Sequence, residues 1–128
     1  MKTTVAILMI IMGTGIGAVW TRDITTGEKV DLSNGFFRAR EDGDGSLFWP
    51  HWIAEYGTAA ALVAGALGLL AATKWGPPLA AIALGALFYT SVNSLGWAFA
   101  RPDRSAYTIP MIAGIVVSLV GAGYLLVG

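Results

Sequence analysis

The sequence predicts an all-α protein: a four-helix transmembrane bundle with a long polar loop between helices 1 and 2. Composition is the first indication, because 55% of the 128 residues are hydrophobic and only 12% are charged, whereas soluble domains are about 25% charged. The second is the pattern of four apolar runs separated by one long and two short polar stretches. Each run is close to the roughly 20 residues that cross a bilayer core. We therefore expect one integral membrane domain over residues 1–128.

The charge balance and the missing residue types narrow the possible functions. Eight basic residues balance eight acidic ones, so no net field attracts nucleic acid. The chain has no Cys and one His, which rules out disulfides, thiolate-held clusters and a haem held by two of its own imidazoles. We expect no nucleic-acid partner, no metal, no cofactor and no catalytic residues.

Helix 1 is predicted over about residues 3–20, where the run VAILMIIMGTGIGAVW follows Lys2. A basic start, an apolar middle and the small-residue GIGA also fit a cleaved signal peptide. We expect a retained helix.

Residues 21–50 are predicted to form a surface loop. They hold most of the charge, and TTG, SNG and DGDG are turn formers. Bundle connections usually have two to eight residues, so a segment of this length is expected to fold as a flap or as a short interfacial helix on the membrane surface.

Three further helices are predicted at about 51–73, at 79–99 after the break KWGPP, and at 107–127 after ARPDRS. Each is long enough to span with some tilt. Indole rings prefer the membrane interface, and every Trp lies near a predicted helix end. The expected interfacial anchors are Trp20, Trp49, Trp52, Trp75 and Trp97.

The distribution of Lys and Arg predicts an orientation, because cytoplasmic loops are enriched in these residues. Lys2 and Lys74 share one side of the predicted bundle. The other side carries Arg22, Lys29, Arg38, Arg40, Arg101 and Arg104. We expect a multi-pass protein of the cytoplasmic (inner) membrane, with both termini outside and with residues 21–50 and 100–106 in the cytoplasm.

Small residues at a spacing of four predict close helix packing. The pairs are Gly13/Gly17 on helix 1, Ala61/Gly65 and Ala64/Gly68 on helix 2, and Ala81/Gly85 on helix 3. They indicate a tight bundle, whose partners could come from this chain or from another.

The acidic stretch EDGDG resembles a calcium loop only in part. A loop that starts at Asp42 would need Gly at its sixth position and Glu at its twelfth, where this chain has Leu47 and Ile53. We interpret the stretch as a solvated turn.

A polar cluster is predicted where helix 2 begins and helix 3 ends. His51 and Glu55 are four residues apart and share a helix face, and Asn93 should lie at a depth similar to that of Glu55. The candidate ligand-binding residues are His51, Glu55, Tyr56, Tyr89, Asn93, Arg101 and Tyr107. The cluster could tie helix ends together, bind the polar head of a lipid, quinone or other amphiphile in a Glu55/Asn93 pocket, or carry protons through Glu55 in a small transporter.

The layout resembles the DoxX-like small four-helix membrane proteins of bacteria. The resemblance rests on the AEYG that opens helix 2, the RPDRS turn after helix 3 and the helix order. Members with assigned roles are mostly accessory subunits of oxidoreductase systems. The resemblance implies a non-catalytic accessory or assembly subunit of a larger membrane complex, such as one of electron transfer. Its partners would be the lipid bilayer and either another membrane protein or a second copy.

Overall fold

The computed structural model contains four long helices that follow one another in chain order. It describes residues 1–26, 30–31, 38–39, 49–99 and 102–127. The helices are α1 Lys2–Thr26, α2 Trp49–Leu70, α3 Gly76–Phe99 and α4 Thr108–Val127. All four are long and apolar enough to cross a membrane, which confirms the predicted helix number and character.

α1 continues six residues past its predicted end at residue 20. The Thr25 hydroxyl donates to the carbonyl of Thr21 at 2.8 Å, and the Thr26 hydroxyl donates to that of Arg22 at 2.9 Å. The prediction stopped where the apolar run stops, but hydrogen bonds within a helix do not require apolar side chains.

The described part of the 21–50 segment contains the end of α1, the first two residues of α2 and a small antiparallel strand pair. β1 (Val30–Asp31) pairs with β2 (Arg38–Ala39), and Val30 lies opposite Ala39. β1 also touches α1. The other residues of the predicted loop, 27–29, 32–37 and 40–48, lie outside the described part of the chain.

α2 ends at Leu70 in a Schellman motif. The amide of Ala72 donates to the Leu69 carbonyl at 3.2 Å, and the amide of Thr73 donates to the Gly68 carbonyl at 3.0 Å. Ala72 adopts the left-handed conformation with φ 51°, which Gly usually supplies at this position. The reversal after Leu70 therefore depends on a residue in an unfavourable backbone region.

α3 begins at Gly76, three residues before the predicted start. Pro77 and Pro78 occupy its first turn, where the missing N–H costs little, so they open the helix and do not break it. The Thr73 hydroxyl accepts from the Gly76 amide at 3.1 Å and donates to the Gly68 carbonyl at 3.1 Å. One side chain thus joins the end of α2 to the start of α3.

A short 3-10 helix, Pro102–Tyr107, leads into α4. It packs against both α3 and α4. It therefore fixes how the chain leaves the end of α3.

The helices pack mainly against their neighbours in sequence, while α1 and α4 share only a small interface. Ten buried residues near the α2–α3 turn form the apolar core. They are Val5, Ala6, Met9, Leu62, Ala66, Leu69, Ala80, Ala83, Leu84 and Leu87. We call this half of the bundle the core end.

Several glycines, Gly13 and Gly65 among them, allow close approach of helix backbones. A Cβ on Gly13 would lie 2.8 Å from the Ala59 carbonyl oxygen, and one on Gly65 would lie 3.0 Å from the Ala80 Cα. A Cβ on Gly17 or Gly85 would meet nothing within 4 Å. These two members therefore do not bring helices together within the described chain, because crossing helices touch only near their closest approach. Packing of a partner chain against them stays a prediction.

We expect Gly13→Val to destabilise the bundle, because the new side chain would push α1 away from α2. Overpacking of this kind typically costs about 1–3 kcal/mol. Gly17→Val is the matched control, with the same change of helix propensity on the same helix but open space around it. Thermal unfolding in mild detergent should show a clear loss of stability for Gly13→Val alone. Equal losses would show that the α1–α2 contact does not limit stability.

We expect Ala72→Gly to stabilise the protein. The left-handed region costs an L-residue roughly 1–2 kcal/mol, which exceeds the extra chain entropy of Gly, about 0.5–1 kcal/mol. Ala71→Gly, one residue earlier, should destabilise instead. A lower unfolding temperature for Ala72→Gly would contradict the Schellman geometry.

Candidate functional site

A cavity of about 280 Å³ lies between α1 and α4, in the half of the bundle away from the α2–α3 turn. All four helices and the 3-10 helix contribute to its wall. The lining residues are Ile11, Met12, Gly15, Ile16, Val19, Trp20, Glu55, Leu87, Ser91, Ser94, Tyr107, Pro110, Met111 and Ala113. We call this half the cavity end.

The cavity exists because α1 and α4 are held together at the core end and separate beyond it. At the core end, Gly121 of α4 lies against Leu84, close to Val5 of α1. At the cavity end, facing residues such as Gly15 leave open space, because a Cβ on Gly15 would meet nothing within 4 Å.

Glu55 is the acidic residue of the described cavity wall, and it is only 1% exposed. The Ser94 hydroxyl donates to its Oε1 at 2.8 Å, and the Trp20 side chain also hydrogen-bonds to it, with the indole N–H as the donor. A buried carboxyl is expensive unless it is hydrogen-bonded. These contacts therefore join α1, α2 and α3 at one point.

The wall of the cavity is polar toward the helix ends and apolar toward the core. Glu55, Ser94 and Tyr107 lie at the polar part. Leu87 and Met12 lie deeper, and the rest of the wall is largely apolar. An occupant matched to this wall has a polar head and an apolar body.

An aromatic cluster supports Glu55 and Trp20 from the side. Trp20 is only 4% exposed and packs with Trp52 and Tyr56 among others. The ring of Tyr56 meets that of Trp52 edge-on, with centroids 4.8 Å apart, and its hydroxyl lies 2.5 Å from the Thr21 hydroxyl. The start of α2 is thus fixed against the end of α1.

The structure brings some of the sequence-predicted site residues together and separates others. Glu55 and Tyr107 line the cavity. Tyr56 lies beside it in the aromatic cluster. Tyr89 is 65% exposed and Asn93 is also exposed, so neither belongs to the cavity wall.

The prediction that Glu55 pairs with Asn93 is wrong. Its partner on α3 is Ser94. Each residue turns the helix by about 100°, so correct depth did not fix the direction of the side chain. Leu87, Ser91 and Ser94 recur at spacings of four and three and share the cavity face. That periodicity is present in the sequence, but only the contact with α2 shows which face of α3 lines the cavity.

The five Trp residues have different environments. Trp75 is exposed, as expected of an anchor. The prediction that Trp20 is an interfacial anchor is wrong. Its side chain is buried against Glu55, because an indole near a helix end can pack in the core as well as at the interface. Trp52 packs against Trp20. The side chains of Trp49 and Trp97 lie outside the described residues.

Two predicted site residues, His51 and Arg101, have side chains outside the described part of the chain, as does the acidic stretch at 41–45. Among the described residues, no group of three or more His, Asp or Glu side chains could hold a metal ion. The described wall can donate and accept hydrogen bonds and can enclose apolar groups.

Comparison with known proteins yields one match. A family model described as "Domain of unknown function (DUF8058)" matches residues 1–128. No curated protein and no solved structure matches the chain. Because the matching model covers the whole sequence, the chain belongs to the DUF8058 family.

Proposed function

We propose that this chain is an integral membrane protein that binds one amphiphile, a lipid or a quinone, in the cavity between α1 and α4. The polar head lies against Glu55 and Ser94, and the apolar part lies toward Met12 and Leu87. The observation that carries the proposal is a buried carboxyl in the wall of a cavity of about 280 Å³.

The size of the cavity suits a small enclosed group. Ligand pockets begin at about 300 Å³, and a dry apolar cavity of about 150 Å³ holds a benzene molecule. The volume here, about 280 Å³, therefore accommodates a ring-sized head with the first part of a chain. The rest of a longer chain would extend into the bilayer.

The chemistry of the wall supports a binding role over a purely structural one. Ionisable residues inside a membrane span are costly and usually mark a functional site. Glu55 lies three residues inside the apolar span Trp52–Leu70, about 5 Å along the axis.

The access route is lateral. α1 and α4 share little contact surface, and residues from both line the cavity, including Val19 and Ala113. An amphiphile can therefore enter from the bilayer between these two helices with its head at the level of Glu55.

An accessory or assembly role is the second candidate, and one observation favours it. Tyr89 and Asn93 lie four residues apart on the exposed surface of α3, and Gly85 continues that face with open space around it. Polar groups on a span are commonly covered by another helix. A partner membrane protein or a second copy could bind there.

Our proposal includes location and sidedness. The chain lies in a cytoplasmic membrane with residues 21–50 and 100–106 in the cytoplasm, as the six-to-two distribution of Lys and Arg suggests. The polar part of the cavity then lies in the cytoplasmic leaflet.

Single cysteines test the sidedness, because the chain has no native Cys. Thr26 and Ala71 are both exposed and lie at opposite ends of the bundle. In intact cells, a membrane-impermeant maleimide should label Ala71→Cys, and it should label Thr26→Cys only after permeabilisation. The opposite pattern would reverse the orientation.

The binding proposal predicts a retained molecule. After purification in mild detergent, mass spectrometry should find one amphiphile with the wild type. Gly15→Leu fills the cavity from α1 and should abolish retention, whereas Gly17→Leu should not. Glu55→Gln should reduce retention roughly tenfold, since loss of one hydrogen bond to the carboxyl is worth about 1.4 kcal/mol.

The same preparation separates the two candidate functions. If wild type and Gly15→Leu retain the same molecules, the cavity is not a binding site. If instead another membrane chain co-purifies and Asn93→Leu releases it, the accessory role is supported.

A further inference from the structure

We infer that two copies of this chain associate in the membrane through the outward face of α3. The inference rests on the proposed membrane location and is independent of amphiphile binding. It assigns to a second copy the face that the accessory role leaves open to any partner. Three observations carry it: two exposed polar side chains within the span, two glycines beside them, and a helix sequence without charge.

The outward face of α3 is continuous along the helix. It consists of Asn93 and of six exposed residues at alternating spacings of three and four: Ile82, Gly85, Tyr89, Val92, Gly96 and Phe99. Two helices that cross at a small angle contact each other through residues at this spacing. Leu87, Ser91 and Ser94 line the cavity from the opposite side of α3. A second copy on the outward face therefore leaves the cavity and its entrance uncovered.

Tyr89 and Asn93 are poorly suited to a lipid surface. Tyr89 lies ten residues before the end of α3 at Phe99, about 15 Å along the axis, which is half of a bilayer core of about 30 Å. Its side chain is 65% exposed, and Asn93, one turn nearer the helix end, is exposed as well. Within the described part of the chain, neither side chain hydrogen-bonds to another residue. Polar groups without a partner are costly in hydrocarbon, so contact with another span is favoured.

Two glycines allow a second helix to approach these polar groups. A Cβ added at Gly85 or at Gly96 would meet nothing within 4 Å, so neither glycine is needed for packing within the described chain. Small residues on a helix surface let the backbones of two spans come close, and polar side chains then hydrogen-bond across the contact. Gly85 lies about one turn before Tyr89, and Gly96 lies about one turn after Asn93. The glycines therefore flank the polar pair.

A second copy matches this face by symmetry. Copies inserted in the same orientation carry Asn93 at the same depth, and a two-fold axis places the same patch of both chains in contact. An amide both donates and accepts hydrogen bonds, as does the hydroxyl of Tyr89, so each group finds a suitable partner in its own counterpart. α3 contains no charged residue, so two such helices meet without like-charge repulsion. A single Asn within a helix seam is also known to fix how two helices pair.

Cysteine crosslinking in native membranes tests the contact, because the chain has no native Cys. Val92→Cys probes the outward face, and Val116→Cys on α4 is the matched control, since the two valines are 47% and 53% exposed. Val92 lies seven residues before Phe99, and Val116 lies eight after Thr108, so their depths are similar. Mild oxidation should join Val92→Cys chains into a species of twice the monomer mass. Val116→Cys chains should remain monomers.

Asn93 variants test the hydrogen bond across the contact. Energy transfer between two labelled populations of the full chain, diluted stepwise in lipid vesicles, reports the fraction of dimer. Asn93→Leu should weaken association roughly three- to tenfold, the equivalent of one or two hydrogen bonds between spans. Asn93→Gln keeps the amide and should have a smaller effect. Because Asn93 is exposed, both variants should unfold at the temperature of the wild type in detergent, which excludes misfolding as the cause.

Several results would overturn the inference. Equal crosslinking of Val92→Cys and Val116→Cys would indicate random collision, and crosslinking of Val92→Cys to a different protein would favour the accessory role instead. Association that Asn93→Leu leaves unchanged would also contradict it. These results leave amphiphile binding untouched, because Gly15→Leu tests the cavity separately. A chain absent from the membrane fraction would contradict both the inference and the proposed location.

Discussion

The cavity end of the bundle depends on one buried carboxyl. Glu55 receives hydrogen bonds from Ser94 and Trp20, so a single side chain of α2 fixes the ends of α1 and α3. An acid at this depth is tolerated only while such donors surround it. The same hydrogen bonds therefore stabilise the buried carboxyl and hold in place the two helices that supply the donors. The position of the cavity wall depends on these bonds.

The two halves of the bundle are stabilised by different forces. At the core end, contacts such as that of Gly65 with Ala80 bring the backbones close together. At the cavity end, Tyr56 and Trp52 pack against α1, and hydrogen bonds replace tight apolar packing. α4 takes part mainly in the first arrangement, which explains why it separates from α1 where the second begins.

Much of the fold could be predicted from the sequence, because apolar length and flanking charge identify spans without tertiary information. The ends of the helices were less predictable where local hydrogen bonds determine them, as at Thr73. Within the site, depth along a helix could be read from the chain, and Glu55 and Tyr107 were found in this way. Rotation about the axis could not, since it depends on how α2 and α3 pack; hence Asn93 was expected where Ser94 lies.

The double role of the Thr73 hydroxyl has a consequence for the order of assembly. By joining the end of α2 to the start of α3, it favours these helices forming as one hairpin, which brings Glu55 and Ser94 to the same level. α1, made earlier, then supplies Trp20. α4 follows the other three helices in the chain, so the cavity stays open along one side until α4 packs against them, and a lipid-soluble molecule could be enclosed at that step.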